Sequence, residues 1–300
     1  MDTLDATHGP APAPDSGAKA ERPRVSIGLP VYNGERYIVG SIESLLGQTF
    51  SDFELIICDN GSTDRTEEIC RDFCSRDPRV RYQRNPTNLG VFGNHAKCFS
   101  LATGEYYFWA ADDDLRAPTF LEKCIAVLEA EPEVVLCYTA IQVIDEDGAP
   151  IDALEQRVDC ENPDPVARFE SLMRMDYRIE PVMGLFRTRA LRATGAHGPY
   201  PDSDRVLVAE MGLRGPFRRL PETLFYRRDH SDRSIRAHPS RHERQLWMNP
   251  GQRTRLAFPY HRQLFEYLRS IWKVPLTLAQ RFAALRTLSR WTWQHRTLLW

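Results

Sequence analysis

VSIGLPVYNGERYIVGSIESLLGQTFSDFELIICDNGSTD (residues 25–64) decides the architecture of this chain. Residues 25–30 form a short run of apolar and small residues, Ile38, Ile42, Leu45 and Leu46 recur at helical spacing, and residues 53–59 are a second apolar run that ends in an acid. Two runs of strand length separated by an amphipathic helix predict a β-α-β unit with parallel strands. The rhythm continues outward. A helical pattern at 65–76 leads to VRYQR (80–84), one over about 91–102 leads to EYYFWA (105–110), and one starting from Pro118 at a first turn leads to VVLCYTA (134–140). The expected class is α/β, a mixed but mostly parallel sheet flanked by helices. After Asp145 the alternation gives way to hairpin-like and irregular segments, with VMGLFR (182–187) and PFRRL (216–220) as later strands. From about residue 240 the pattern is helical, through Leu264, Leu268, Ile271, Phe282, Leu285 and Leu288.

With 300 residues, 42% hydrophobic and 27% charged, the chain is not collagen-like, a disulfide scaffold or wholly disordered. A chain of this length buries roughly 75% of its unfolded surface, so any metal it carries serves function and not mere folding. Seven cysteines, an odd number with no C-x-x-C or paired Cys/His zinc spacing, suit a reduced, cytoplasmic setting. Residues 1–22 have neither a basic n-region nor an apolar h-region and are expected to be a disordered tail, not a signal peptide. No stretch approaches the ~18 consecutive apolar residues of a membrane span. The net charge of −2 hides an asymmetry, because residues 213–300 hold 18 Lys and Arg against 5 Asp and Glu. Trp272, Trp291, Trp293 and Trp300 lie among these arginines, and Glu266 is the only acid after residue 250. Such a basic aromatic helix pair fits either peripheral contact with an anionic membrane or a packing and homodimer face. No nucleic-acid recognition module accompanies the charge, so nucleic acid is not an expected partner.

In open α/β sheets ligands bind beyond the carboxyl ends of the strands. Here those ends run into Pro30-Val31-Tyr32-Asn33-Gly34-Glu35, Asp59-Asn60-Gly61-Ser62-Thr63-Asp64, Arg84-Asn85 with Asn88, and Asp112-Asp113-Asp114. Three successive carboxylates either raise one another's pKa or require a cation. Mg2+ and Mn2+ are held by one or two carboxylates plus phosphate oxygens, which suits a metal-diphosphate site; a solvated turn in which Asp113 or Asp114 caps the next helix is the alternative. Asp59 ends an apolar strand, where a fixed carboxylate can accept from a base N–H or a ribose hydroxyl. Tyr32 offers either a ring for a base or simple strand-end packing. Ser62, Thr63 and Asp64 fit the N-cap of a helix beginning near Arg65.

The run PVYNGERYIVGSIESLLGQTFSDFELIICDNGSTD, followed by GEYYFWAADDDLRAP, resembles the family 2 glycosyltransferases of the GT-A fold, with the similarity covering roughly residues 24–230. The resemblance implies a nucleotide-diphospho-sugar donor (a UDP-sugar first), a divalent cation (Mn2+ or Mg2+) and inversion at the anomeric carbon. It also implies a glycan, lipid-linked or small-molecule acceptor, in surface polysaccharide or glycoconjugate synthesis at the cytoplasmic side of the membrane. By that resemblance Pro30, Tyr32 and Asn33 line the nucleotide and Asp59 contacts the base. Arg84 neutralises phosphate or holds the base, unless it is an ordinary surface arginine. The Asp112–Asp114 triplet matches the D-x-D element: spacing to Pro118 favours Asp113 and Asp114, a literal D-x-D reads Asp112 and Asp114, and Asp114 is the metal ligand common to both. His230 or Arg228 would complete the metal or phosphate site, or belong to a solvated basic loop. Asp204, in PDSD before RVLVAEMGLRG, falls on the general-base position, with Asp202 the fallback and helix capping the alternative.

The implied division is a tail (1–22), a glycosyltransferase domain (23–240, with a donor half 23–144 and an acceptor half 145–240) and a basic helical extension (241–300). The processive members carry Q-x-x-R-W, whereas Gln252–Leu256 lacks the Trp, which disfavours a processive polymerase. The first strand lacks G-x-G-x-x-G, which removes a dinucleotide oxidoreductase, and it lacks the Gly-rich loop of a sugar nucleotidyltransferase. A non-catalytic sugar-nucleotide-binding or scaffold protein of the same fold is the competing class.

Overall fold

The computed structural model describes residues 22–154, 158–175, 180–231, 243, 248 and 259–299. The expected tail up to residue 21, the boundary near residue 240 and the Gln252–Leu256 run lie outside these residues. The first half follows the expected alternation: β1 (Val25–Val31), α1 (Ile38–Leu46), β2 (Phe53–Asp59), α2 (Thr66–Arg76), β3 (Val80–Arg84), α3 (Gly90–Leu101) and β4 (Tyr106–Trp109). β1 pairs in parallel with β2 on one edge and with β4 on the other, and β2 pairs in parallel with β3. The chain thus winds outward from β1 to β3 and then returns across it to β4, so the strand order reverses beside β1.

The second half completes a mixed sheet from β5 (Leu115–Arg116), β6 (Leu136–Ile144), β7 (Pro150–Leu154), β8 (Leu185–Arg187) and β9 (Phe217–Arg228). Among the described residues the order is β3-β2-β1-β4-β8-β6-β9-β5, with β7 beside β6. Between these strands run α4 (Phe120–Ala130), α5 (Pro165–Arg174), a 3-10 turn (Glu180–Met183), α6 (Thr188–Arg192) and α7 (Ser203–Arg214). They are followed by α8 (Pro259–Lys273), α9 (Leu278–Gln294) and the short α10 (Arg296–Leu299). Three expectations change. The helix expected from Pro118 starts at Phe120, because residues 117–119 are tied to β9 and to the turn after α1, with Ala117 N–H donating to Leu224 O and Thr49 N–H to Pro118 O. The 216–220 strand continues to Arg228, since β6 pairs with it in parallel all the way to Ile144. α5 occupies ground expected to be irregular, and Asn162-Pro163-Asp164-Pro165 announces it: Asp164 caps the helix by accepting from Val166 N–H at 3.0 Å, with Pro165 in the first turn.

Period-two alternation sorts the strand residues into two cores. Val25, Ile27, Leu29, Phe53, Leu55, Ile57, Tyr106 and Phe108 face α1, α2 and α4. Ile56, Cys58, Tyr107 and Trp109 face α3 and, farther along the sheet, α5 and α7. Tyr267, Ile271, Ala284, Leu288 and Trp291 of α8 and α9 enter that second core, so the C-terminal extension is docked on the domain. All seven cysteines are free.

Gly28 shows how tight this second face is. Its register partner is Trp109, and a β-carbon there would collide with the hydroxyl of the fully buried Tyr107 and lie 3.0 Å from Cys98 Cβ. Gly28→Ala is therefore expected to cost about 1–3 kcal/mol in urea unfolding. Gly195→Ala, with no neighbour within 4 Å, should stay within about 0.5 kcal/mol of the parent.

Candidate active site

A cleft of about 420 Å3 opens where the strand order reverses, beyond the carboxyl ends of β1 and β4. That is where an open α/β sheet leaves room, because the helices after β1 and before β4 lie on opposite faces. Of the residues expected in a site, Pro30, Tyr32, Asp112, Asp113 and Asp204 line this cleft. Tyr32 is 45% exposed and offers its ring to the opening.

The wall beside Tyr32 is a laced pair of loops. Asn33, in the left-handed region with φ 56°, accepts from Thr63 N–H at 2.8 Å through its side chain, while its own N–H donates to Ser62 Oγ at 2.9 Å. Gly34 N–H donates to Thr66 Oγ1 and Glu35 N–H to Asp64 Oδ2, and Asp64 also accepts from Thr66 N–H at the start of α2. Asn33 thus joins the β1 loop to the β2 loop through its side-chain oxygen and backbone N–H, and it is not among the residues lining the cleft. Asp59 is enclosed by the same loop and by β3. Its carboxylate is fully buried and accepts from Ser62 N–H (2.8 Å), Tyr82 OH (2.6 Å) and Arg84 (2.7 Å). Burial alone would raise its pKa, but the hydrogen bonds from Tyr82 and Ser62, helped by the Arg84 charge, hold it below the usual carboxylate range. Arg84 additionally donates to Ser62 O and pairs with Glu67, so it braces the loop and is absent from the cleft lining. The polar cleft surface here comes from amides. Asn60 and Asn88 line it, joined at 2.9 Å, and Asn85 links Asn60 to Asn94, whose Nδ2 donates to Cys58 O.

The acidic triplet divides between two jobs. Asp112 and Asp113 line the cleft, whereas Asp114 is buried, accepts from Arg228 N–H at 2.9 Å and compensates the buried guanidinium of Arg116. Asp114, the member of the triplet expected to bind a metal, is thus engaged away from the cleft lining, whereas Asp113 reaches it. Arg228 is likewise spent on structure: it donates to the carbonyls of Asp113, Asp145 and Glu146, which pins the triplet to the β6–β7 hairpin. His230, buried against Tyr37, brings Nε2 within 3.0 Å of Asp113 Oδ2, and its Nδ1 has no partner among the described residues. Asp112 is pushed up to about 8, first by burial and then by the Asp113 charge, so this corner is short of positive charge. Among the described residues no three His, Cys, Asp or Glu groups converge as a preformed metal site. Two cleft carboxylates with an adjacent imidazole fit a hard cation whose remaining ligands are substrate oxygens.

At the far end of the cleft lies Asp204, in the first turn of α7. Its carboxylate accepts from Arg205 N–H at 2.9 Å and is pushed up to about 6 by burial and by neighbouring Asp202. Asp202 sits in the left-handed region, at φ 61°, and makes no side-chain cap. Beside Asp204 the cleft is walled by His95, Trp109 and His197, with the Trp109 and His197 rings 4.5 Å apart and the two imidazoles 5.5 Å apart. Burial lowers His95 to about 4 and His197 to about 3, so both are neutral at pH 7. Sequence reasoning missed this cluster and Asn94. The adjacent polar pair Asn94-His95 in the helix before β4, and the shared parity of Trp109 with Tyr107, were available signals; His197, on an irregular loop, offered none.

A sequence profile described as "Glycosyl transferase family 2" matches residues 26–183. Chondroitin synthase from Escherichia coli is 36% identical over 126 residues, which is 42% of this chain and 18% of that protein. The match spans less than half the length of the curated relatives. In three dimensions the chain is similar to S. aureus TarS 1–349 in complex with UDP (TM-score 0.62, 17% identity, 91% of this chain and 73% of TarS 1–349). It is also similar to the mannosyltransferase PcManGT from Pyrobaculum calidifontis in complex with GDP-Man and Mn2+ (TM-score 0.52, 18% identity, 90% and 76%). At these identities the structural likeness establishes the GT-A fold.

The Asp59 cluster gives a measurable pH signature. Because its pKa is lowered in the folded state, the stability it contributes is present above the unfolded value near pH ~4 and is lost as pH falls through the folded value. Arg84→Met should lower stability at pH 7, by an amount limited by solvent screening of the partly exposed guanidinium, and should move the acid-unfolding midpoint to higher pH by circular dichroism.

Proposed function

The chain belongs to glycosyl transferase family 2, and from that premise we propose that it transfers a sugar from a nucleotide-diphospho-sugar, a UDP-sugar first, to an acceptor hydroxyl with inversion. The observation that carries the reading is the meeting in one cleft of an exposed ring, two carboxylates and a raised-pKa aspartate, namely Tyr32, Asp112 with Asp113, and Asp204. The nucleotide lies against Tyr32 and the Asn60–Asn88 amides, in a wall braced by Asp59 and Arg84 and by the link Asn33 makes between the two loops. Its diphosphate points to Asp113. Mn2+ or Mg2+ would be held by Asp113 with Asp112 and His230, and when bound it supplies Lewis-acid charge opposite the departing diphosphate. The UDP in TarS and the GDP-Man with Mn2+ in PcManGT support this donor class and cation.

Asp204 acts as the general base. The acceptor oxygen forms its bond to the anomeric carbon from the face opposite the leaving group, the bond from that carbon to the diphosphate oxygen breaks, and the acceptor proton passes to the Asp204 carboxylate. A pKa near 6 keeps that carboxylate ionised at neutral pH yet basic enough to accept the proton. His95, His197 and Trp109 form an uncharged wall on which the C–H face of a sugar ring can be buried. On this reading residues 23–144 are the donor half and 145–240 the acceptor half, with glycan or glycoconjugate synthesis as the setting.

Calorimetry with UDP, GDP, dTDP and CDP, with and without Mn2+, is expected to find one nucleotide that binds in a cation-dependent way, weakened at least tenfold by Asp113→Asn. Failure of every nucleotide to bind would favour a scaffold role. Asp204→Asn should retain that binding while turnover falls by about 10²–10⁴. In the parent, kcat/KM should rise about tenfold per pH unit up to about 6 and then level, since Asp204 must be ionised, and the limb should vanish in Asp204→Asn. Retained anomeric configuration by NMR would overturn the single displacement.

A further inference from the structure

The inward side of α8 is accounted for. Tyr267 meets Phe169 of α5 and Trp291 of α9, and Ser270 donates to Glu210 of α7. Its outward side carries Phe265, Leu268 and Trp272 at positions i, i+3 and i+7, a spacing that puts them on one face. The first turns of α9 add Leu278 and Phe282 at i and i+4. These side chains are 38–73% exposed, and together with Trp293 they make six of the ten exposed large hydrophobics among the described residues. The concentration marks a patch, not the scatter normal for a surface. Arg281 of α9 stacks over Trp272 at 4.8 Å, which joins the two helices into one surface.

Charge decides the occupant. α8 and α9 hold Arg262, Arg269, Lys273, Arg281, Arg286 and Arg290 against one acid, Glu266. Glu266 pairs with Arg262 and Arg269, and Glu210 with Lys273, so two carboxylates answer six cations. A second copy of this face would bring the same positive surplus against itself. A sheet of anionic headgroups over acyl chains complements both features at once. Among the described residues no helix is long and apolar enough to cross a membrane, so contact through these helices would lie along the surface. We infer that α8 and α9 dock the protein on an anionic lipid bilayer, with Phe265, Trp272, Leu278 and Phe282 in the interface and the arginines at the headgroups. α8 also packs on α7, whose first turn holds Asp204, so docking brings the far end of the cleft toward the bilayer.

Sedimentation of the full chain with vesicles tests this without any sugar substrate. Equimolar phosphatidylcholine and phosphatidylglycerol vesicles should bind at least tenfold more protein than phosphatidylcholine alone, and binding should fall between ~0.1 and ~1 M salt. Trp272→Ala with Phe282→Ala, and separately Arg281→Glu with Arg286→Glu, should each cut partitioning about tenfold while leaving the thermal midpoint and nucleotide binding unchanged. Equal binding to neutral vesicles, binding to neither kind, or a dimer in light scattering that these same variants dissociate would overturn the inference.

Discussion

The parallel pairing of β1 with β2 on one side and β4 on the other is the constraint on which the site depends. Parallel partners put their carboxyl ends on the same rim, so loops that are distant in sequence, at 30–35, 59–64 and 109–114, meet there. The ladders even continue past the strands: Asn60 N–H donates to Val31 O, Asn85 N–H to Asp59 O and Ala110 N–H to Gly28 O. Backbone hydrogen bonding therefore sets the depth of each loop before side-chain chemistry begins. The reversal of strand order beside β1 then leaves the gap that becomes the cleft.

Charge on that rim is managed by giving neighbouring carboxylates different surroundings. Asp59 and Asp114 are surrounded by donors or cations and serve as internal fasteners, one for the β2 loop and one for the β5–β9 edge. Asp112 and Asp204 lack such compensation, and burial raises both. Adjacent residues of identical type thus take opposite roles, because a carboxylate's usefulness in chemistry depends on which hydrogen bonds it has not already made. The same logic separates Arg228, which is bound to three carbonyls, from His230, which reaches Asp113.

The C-terminal helices tie fold and site together from the outside. They bury Tyr267, Ile271, Leu288 and Trp291 in the core that also holds α5 and α7, so the helix presenting Asp204 is supported on one side by the sheet and on the other by α8. An amphipathic layer placed there can both stiffen the far end of the cleft and present a second, outward surface.

The amino-acid sequence by itself determined the α/β order, because continuous apolar runs and period-3.6 patterns are local properties of strands buried on two faces and helices buried on one. It also put Tyr32, Asp112, Asp113 and Asp204 at strand and helix ends. What it left undecided was orientation. Whether Asp113 or Asp114 faces the cleft depends on the pairing of β5 with β9, more than 100 residues later, and the burial of Asp59 depends on Tyr82 and Arg84 arriving from β3. The His95–Trp109–His197 wall needs α3, β4 and the loop before α7 to converge. Those choices belong to tertiary structure, since a side chain's hydrogen bonds and its exposure are set by neighbours that only folding brings within reach.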